Sequence, residues 1–564
     1  MNSNSWNILN KDTTRSVVDV ILENRNLPAD HMNRFRLSDR IHDPHLLPDM
    51  DKGVKRILEA IEREEKIVIF GDYDVDGVTS TALMINFFRR IDYAVQYILP
   101  HREKDGYGLR NSGIDKAEEL GAKLIITVDN GITSGEAVDY AQKKGIDVVI
   151  TDHHLQEGEL PNAVAVINPN RSDSQYPFKT ICGVAVAFKV VQAISEKLIP
   201  FKFSTEDDYK QFLLDQLDLV AIGTISDVMP LRDENYALVK FGLKVLAVTK
   251  KPGLIALKKI SRVDNRNISP ISVGFFLGPR LNASGRIDEA DTSLKLLLSE
   301  TKEAAEMYAK QLDKINNKRQ TMQTQYLKFA MSDLENREKI SKVIIIENEE
   351  WQSGLIGLVS GHLKEQFNRP VIAFTRNADG DYVGSARSVG SFHITDALSQ
   401  FSKYFINFGG HQKAAGLTVI ADKYMQFKEE FLKYAEENIN GNVLGASLVI
   451  DSIVDIDQLN VQIARLIQDI GPFGEANPEP ILALSNAVIK DKKLLGNDKH
   501  LKIFVQKGRH IYECVWWRSA KYYDELYAGE AVDIAFHLNI NNWQNVDRLQ
   551  LTVADIRKRD EQFD

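Results

Sequence analysis

Cysteine is almost absent: two residues in 564, Cys182 and Cys514, far apart and without zinc-ligand spacing. A disulfide scaffold and a zinc knuckle are therefore not expected, and the two thiols read as ordinary reduced cysteines. No apolar run is long enough to span a bilayer. The N-terminus, Met1-Asn2-Ser3-Asn4-Ser5-Trp6, lacks the basic segment and apolar stretch of a secretion signal. The expectation is a cytoplasmic protein with no membrane association. Positive charge is not in excess either: the formal net charge is −9 and the pI about 5.8. That argues against a nucleic-acid coat protein, but a local basic groove on an acidic body still suits a nucleic-acid enzyme. Internal repeats and low-complexity tracts are also missing.

What is present is a chain long enough for three or four domains, 43% apolar and 26% charged. The first 50 residues read as a leader packing on the catalytic domain. Strand and helix patterns then alternate. Strands are expected at Ile67–Phe70, Ala94–Leu99, Leu124–Val128 and Asp147–Thr151, and helices at Thr79–Arg90, Asn111–Leu120 and Ser134–Lys144. This alternation predicts an α/β fold with a parallel sheet. A helical region follows, ending in a helix over Ser299–Asn336 that has no Pro or Gly and joins two lobes. A second, smaller α/β unit spans about 337–440, and short strands over about 445–560 predict a C-terminal OB-like β-barrel.

The chemistry concentrates at strand ends. Lys66-Ile67-Val68-Ile69-Phe70-Gly71 is followed at once by Asp72-Tyr73-Asp74-Val75-Asp76-Gly77. The carboxylates emerge at the C-terminal edge, where open α/β sheets build their sites. Like charges this close need a neutralising cation or water, and oxygen ligands suit Mg²⁺ or Mn²⁺. Asp129 follows Leu124–Val128, Asp152-His153-His154 follows Asp147–Thr151, and Asp227 ends Gly223-Thr224-Ile225-Ser226. One Asp after a strand is ordinarily a turn residue or a cap. Several together at one sheet edge point to a metal centre. A carboxylate bridging two ions about 3.5–4 Å apart has the geometry of metal-assisted phosphoryl hydrolysis.

These motifs, strand-Asp-x-Asp-x-Asp-Gly, Val-Asp-Asn-Gly, Asp-His-His and Ser-Asp-Val, resemble those of the DHH phosphoesterase superfamily. Gly278-Pro279-Arg280-Leu281-Asn282-Ala283-Ser284-Gly285-Arg286 and Trp351-Gln352-Ser353-Gly354-Leu355-Ile356-Gly357 resemble motifs of the RecJ single-strand-specific exonucleases. Gly384-Ser385-Ala386-Arg387-Ser388 and Gly409-Gly410-His411-Gln412-Lys413-Ala414-Ala415-Gly416 look like the associated DHHA1 domain. The resemblance implies a DHH catalytic domain over 51–240, a helical region and connecting helix over 241–336, and a DHHA1 domain over 337–440. It implies two cations, Mn²⁺ or Mg²⁺, on Asp74, Asp76, Asp129, His153 and Asp227, with Asp129 as bridge. Asp72 would stand behind them or ligate through water, His154 would donate to the scissile phosphate, and Asp152 would orient a histidine.

Arg280, Asn282 and Arg286 fall in a Gly/Pro/Asn-rich stretch expected to be a loop, and with the resemblance they read as a phosphate clamp. Ser385 and Arg387, with Arg102, would hold a terminal 5′-phosphate. His411 offers a Gly-rich loop to phosphate, and Tyr107 a ring for a base. In the barrel, Trp516, Trp517 and Trp543 with Lys499, Lys502, Arg509 and Arg518 are stacking and groove candidates.

The function these residues imply is a 5′→3′ exonuclease that degrades single-stranded DNA to mononucleotides by two-metal-ion hydrolysis, in recombination and repair. The alternative is a DHH phosphoesterase acting on short oligoribonucleotides, phosphoadenosine phosphate or cyclic dinucleotides. The long linking helix and the additional barrel argue against it. The implied partners are single-stranded DNA, a single-strand-binding protein and a RecQ-type helicase, with the chain itself monomeric.

Overall fold

The structure, a computed structural model, describes residues 5–27, 41–102, 105–106, 108–199, 201–287, 290–439, 447–543 and 546–559. The chain forms two compact units, Arg40–Leu444, and Met1–Asp39 together with Gly445–Asp564. Among the described residues no helix is long and apolar enough to cross a membrane.

The larger unit opens with a parallel five-stranded sheet in the order Gln96–Ile98, Ile67–Phe70, Leu124–Val128, Asp147–Thr151 and Ala165–Ile167. Ile67–Phe70 and Leu124–Val128 are buried at every position, as strands covered on both faces must be. Phe70 pairs with Thr127 and Val128 with Thr151, so the three central strands end nearly level. The residues that follow them therefore share one edge. The last strand, Ala165–Ile167, was not expected from the sequence, being only three residues long.

The helix after the first catalytic strand is Val75–Arg90, one turn longer than Thr79–Arg90. Asp74 caps it, accepting from Gly77 N at 3.0 Å. Gly77 sits in its first turn, and a Cβ there would lie 2.6 Å from Asp72. Further helices include Gly183–Lys197, Glu206–Ser226 and Gly278–Ile287, and the linking helix runs Lys302–Glu335. Beyond it stands a mixed five-stranded sheet in the order Phe405–His411, Ala414–Val419, Tyr382–Arg387, Val371–Arg376, Ile344–Glu347, with helices Ser353–Phe367 and Tyr424–Asn438.

In the smaller unit Leu482–Leu495, His500–Lys507, His510–Trp516, Val546–Lys558 and Ala531–Trp543 pair in turn, and the last closes on the first. That closed five-stranded barrel is the expected OB-like domain. The leader is corrected here. The strand Ser5–Ile8 pairs in parallel with Ser447–Ile450, and helix Val17–Asn24 places Val17, Ile21 and Leu22 in the barrel core. Residues 5–27 thus belong to the barrel unit, whereas the rest of the expected leader from residue 41 stays with the catalytic unit, where His42 N donates to Glu234 at 3.2 Å. A pairing across more than 400 residues leaves no local signal in the sequence.

Candidate active site

Asp72, Asp129 and Asp152 leave the three level strands, and Asp227 closes helix Glu206–Ser226 beside them. His153 Nε2 lies 3.1 Å from Asp129 Oδ1, 3.7 Å from Asp227 Oδ2 and 3.8 Å from Asp76 Oδ2. Asp76, His153 and Asp227 offer ligand atoms within 4.8 Å of one another, as do Asp72, Asp74 and Asp129, and Asp129, His153 and His154. The two carboxylate-rich groups draw on the residues expected to hold two ions, but the first does not include Asp129 and the second adds Asp72.

Local backbone holds these side chains. Asp129 stands in the left-handed region at φ 63°, which an aspartate tolerates better than most residues. Asp76 receives the amides of Gly183 and Val184 at 2.6 and 2.9 Å, the free N–H groups at a helix start. Gly183 was missed by the sequence reading. A Cβ there would lie 2.5 Å from the Asp129 carboxylate. Its only signal is a glycine at the first residue of a long apolar helix. Asp152 does orient a histidine: Oδ1 lies 2.8 Å from His154 Nδ1, and Oδ2 accepts from Ile132 N at 2.9 Å.

Burial, then the charges of Asp76, Asp74 and Asp227, push Asp129 well above the ordinary carboxylate range. Burial and Asp74 raise Asp72 likewise, and burial and Asp76 raise Asp227. Asp76 is pushed up to about 7 by burial and Asp74, against the two amides. Burial and the neighbouring His154 push His153 down to about 3, leaving a neutral imidazole of the kind that binds metal. Burial opposes charge on His154, but the Asp152 carboxylate outweighs it and holds the ring up to about 9. Asp72 Oδ1, Asp129 Oδ1 and Asp227 Oδ2 are buried and have no hydrogen-bond partner. Desolvated carboxylates facing one another are costly unless neutralised. Oxygen donors with one imidazole are a set that Mg²⁺ or Mn²⁺ fits.

Arginines border this cluster. Arg280, Asn282 and Arg286 lie on helix Gly278–Ile287, not in a loop. Its glycines serve close packing: a Cβ at Gly285 would lie 2.2 Å from Tyr73 O. Arg280 is ion-paired to Asp313 at 2.9 Å, which weakens its reading as a clamp. Arg286 Nη1 donates to Gly354 O at 3.0 Å, and burial with Arg102, Arg319 and Arg387 nearby pushes it down to about 9. Arg102 lies over the Tyr73 ring at 4.9 Å. Arg387 Nη1 donates to Ser385 Oγ at 3.2 Å, and Gly357 leaves room for both, since a Cβ there would approach them at 3.1–3.2 Å. His411 is exposed at the end of an edge strand, and its charge acts on His153. Tyr107 and the Trp543 side chain lie outside the described residues.

In the barrel unit Trp516 is 8% exposed, packs in the core and stacks on Tyr522 at 4.9 Å, so it is not a base-stacking residue. It ends its strand facing inward, while in the turn that follows Trp517 is 57% exposed and Arg518 is exposed beside it. Lys502 is paired with Glu513 at 2.5 Å.

Comparison with known proteins agrees with this arrangement. Residues 66–224 match the DHH family N-terminal domain, 340–440 the DHHA1 domain and 450–555 the RecJ OB domain. A single-stranded-DNA-specific exonuclease RecJ of Escherichia coli (strain K12) is 34% identical over 525 residues, 90% of either chain. That of Bacillus subtilis (strain 168) is 34% identical over 516 residues, 91% of this chain, which spans 64% of that relative. The crystal structure of RecJ with Mn²⁺ from Thermus thermophilus superposes with a TM-score of 0.83 at 24% identity, covering 99% of this chain and 80% of that one. With the three domains in order and a third of the residues shared along nine-tenths of its length, the chain belongs to the RecJ family of single-stranded-DNA-specific exonucleases.

Proposed function

We propose that the protein is a metal-dependent exonuclease that degrades single-stranded DNA from the 5′ end to mononucleotides, in recombination and repair. The observation that carries this reading is the set of buried, partnerless carboxylate oxygens on Asp72, Asp129 and Asp227, bordered by arginines. The relatives are named as single-strand-specific exonucleases, and the Thermus protein of like fold is seen with Mn²⁺ and with Mg²⁺.

Asp74, Asp76, Asp129, His153 and Asp227 would hold two divalent cations, with Asp129 common to both and Asp72 completing the second group. Such ions supply Lewis-acid stabilisation of charge on phosphoryl oxygens and lower the pKa of water. The protein's own groups do the rest. Gly183 and Val184 fix Asp76. Asp152 holds His154 protonated, so that it donates to the scissile phosphate. Arg286 binds backbone phosphate, joined by Asn282 and by whatever part of Arg280 Asp313 leaves free. Arg102, Ser385 and Arg387 capture a terminal 5′-phosphate, and His411 adds a donor. A site that requires a 5′ terminus enforces 5′→3′ polarity. Trp517 and Arg518 are the barrel residues left to meet the strand. The enzyme acts as a cytoplasmic monomer, alongside a single-strand-binding protein and a RecQ-type helicase.

The test is cleavage of one oligonucleotide as single strand and as duplex, with Mn²⁺ or with chelator. Loss of the single strand alone, and only with metal, is expected; equal attack on duplex contradicts the reading.

A further inference from the structure

The linking helix Lys302–Glu335 buries one stripe, mostly apolar: Ala305, Ala309, Leu312, Ala330 and Leu334. Asn316 and Arg319 interrupt it, 0% and 9% exposed. Arg319 Nε donates to Asn316 Oδ1 at 3.1 Å, and Nη1 to Gln323 Oε1 at 3.0 Å. Both partners are neutral, and among the described residues no carboxylate pairs with Arg319. Arg280, by contrast, is neutralised by Asp313. Asn316 Nδ2 is buried with no hydrogen-bond partner. A buried guanidinium without a counter-ion and a buried amide donor without an acceptor are both unfavourable. Side by side, they are what an anion site looks like before the anion arrives.

Position specifies which anion. Asp313 ties the helix to Arg280 of Gly278–Ile287. Tyr326 ties it to the start of Ser353–Phe367, accepting from Gln352 N at 3.2 Å and stacking on Trp351 at 5.1 Å. Arg319 lies between these anchors, about 9 Å along the axis from Asp313 and about 10.5 Å from Tyr326. Arg286 spans the same interval to reach Gly354 O. After burial and the neighbouring Arg102, the charge of Arg319 is the next influence lowering Arg286.

We propose that Arg319, oriented by Asn316 and Gln323, is a further nucleic-acid-binding residue whose free Nη2 edge takes an internal backbone phosphate of the single strand. The linking helix is then one wall of the substrate site as well as a spacer. With Nε and Nη1 held by neutral partners, the two N–H groups of Nη2 are left for phosphate oxygen, and Asn316 Nδ2 supplies a second donor. This rests on the single-strand nuclease reading.

The test is binding of labelled oligothymidine in EDTA, across a salt series, by wild type and Arg319→Gln, with thermal melting of each. The variant is expected to bind about tenfold more weakly, with a salt slope shallower by about 0.7, one phosphate contact on a single strand. Its melting temperature is expected to hold or rise, since an uncompensated buried charge is gone. Wild-type affinity and slope overturn the proposal, as does a lower melting temperature with unchanged affinity. The loss should be equal for oligonucleotides with 5′-phosphate and 5′-hydroxyl ends; loss confined to phosphorylated ends overturns the internal-phosphate assignment. If Arg319→Gln does not fold, Arg319→Lys decides, since it keeps the charge but loses the fork: weaker binding at the wild-type slope supports the proposal, and wild-type affinity overturns it. A wild type that binds no single strand would instead contradict the nuclease reading.

Discussion

The Nε2 of His153 stands 3.1 Å from Oδ1 of Asp129, where two paired strands end, and that buried oxygen accepts no hydrogen bond. On the function proposed, the two would be ligands turned toward one cation, and Asp129 is also within reach of Asp72 and Asp74. Replacing Asp129 with Ala should abolish cleavage while largely sparing DNA binding. The loss in kcat should exceed the roughly 10–100-fold that outer-shell changes cost. Single-turnover kinetics with parallel binding measurements check this, and retained turnover would remove Asp129 as the bridge.

Metal should also stabilise the fold. An ion that binds only the native state raises the melting temperature with its concentration. Mn²⁺ is expected to raise the melting temperature of wild type and to have much less effect on Asp129→Asn. Without metal that variant should melt no lower than wild type, because the raised carboxylates repel one another. Calorimetry with and without Mn²⁺ decides it; an equal shift in both proteins would place the ion elsewhere.

His154 gives a pH signature. Its pKa in the fold, about 9, lies above the ordinary 6.5 because Asp152 outweighs the opposing effect of burial. The bond therefore stabilises the fold in full below pH about 6.5, and the contribution is lost as pH rises through about 9. Asp152→Asn should lower the titration of His154 toward neutrality. NMR of the metal-free protein reads this directly; an unmoved titration would mean that Asp152 is not the residue holding the proton.

Arg387→Ala should weaken action on 5′-phosphorylated ends far more than on 5′-hydroxyl ends. A hydrogen bond to a charged group contributes about 1.5–3 kcal/mol, so the selective loss should be about 10–100-fold in kcat/KM. Equal losses on both ends would argue against a terminal-phosphate pocket.

Gly285 tests the architecture. A Cβ there meets the Tyr73 carbonyl at 2.2 Å, with Asp72 and Asp74 on either side. Gly285→Ala should destabilise the protein by about 1–3 kcal/mol, the scale of overpacking, and weaken Mn²⁺ binding with it. Denaturant melts and metal titration measure both, and a variant that binds Mn²⁺ normally would separate that helix from the metal centre.

Much of this was legible in the sequence because it is local. Buried parallel strands are continuous apolar runs, so Ile67–Phe70, Leu124–Val128 and Asp147–Thr151 could be read residue for residue, and the acids after them with little else to explain them. What failed depended on distant partners. Glycines in Gly278–Ile287 suggest a loop until Tyr73 O is seen pressed against Gly285. Trp516 and Trp517 are chemically equal in the sequence, and only the end of the strand at Trp516 separates a buried ring from an exposed one in the turn that follows. Arg319 gives no sign on a polar helix; its burial without an acid is a tertiary fact.

The most direct test of the central claim is a time course with Mn²⁺ on single-stranded DNA labelled at the 5′ end or at the 3′ end. Early release of the 5′ label as a mononucleotide, while the 3′ label persists in shortening strands, is the predicted result. Early release of the 3′ label, or internal cuts that free neither label as a mononucleotide, would contradict it.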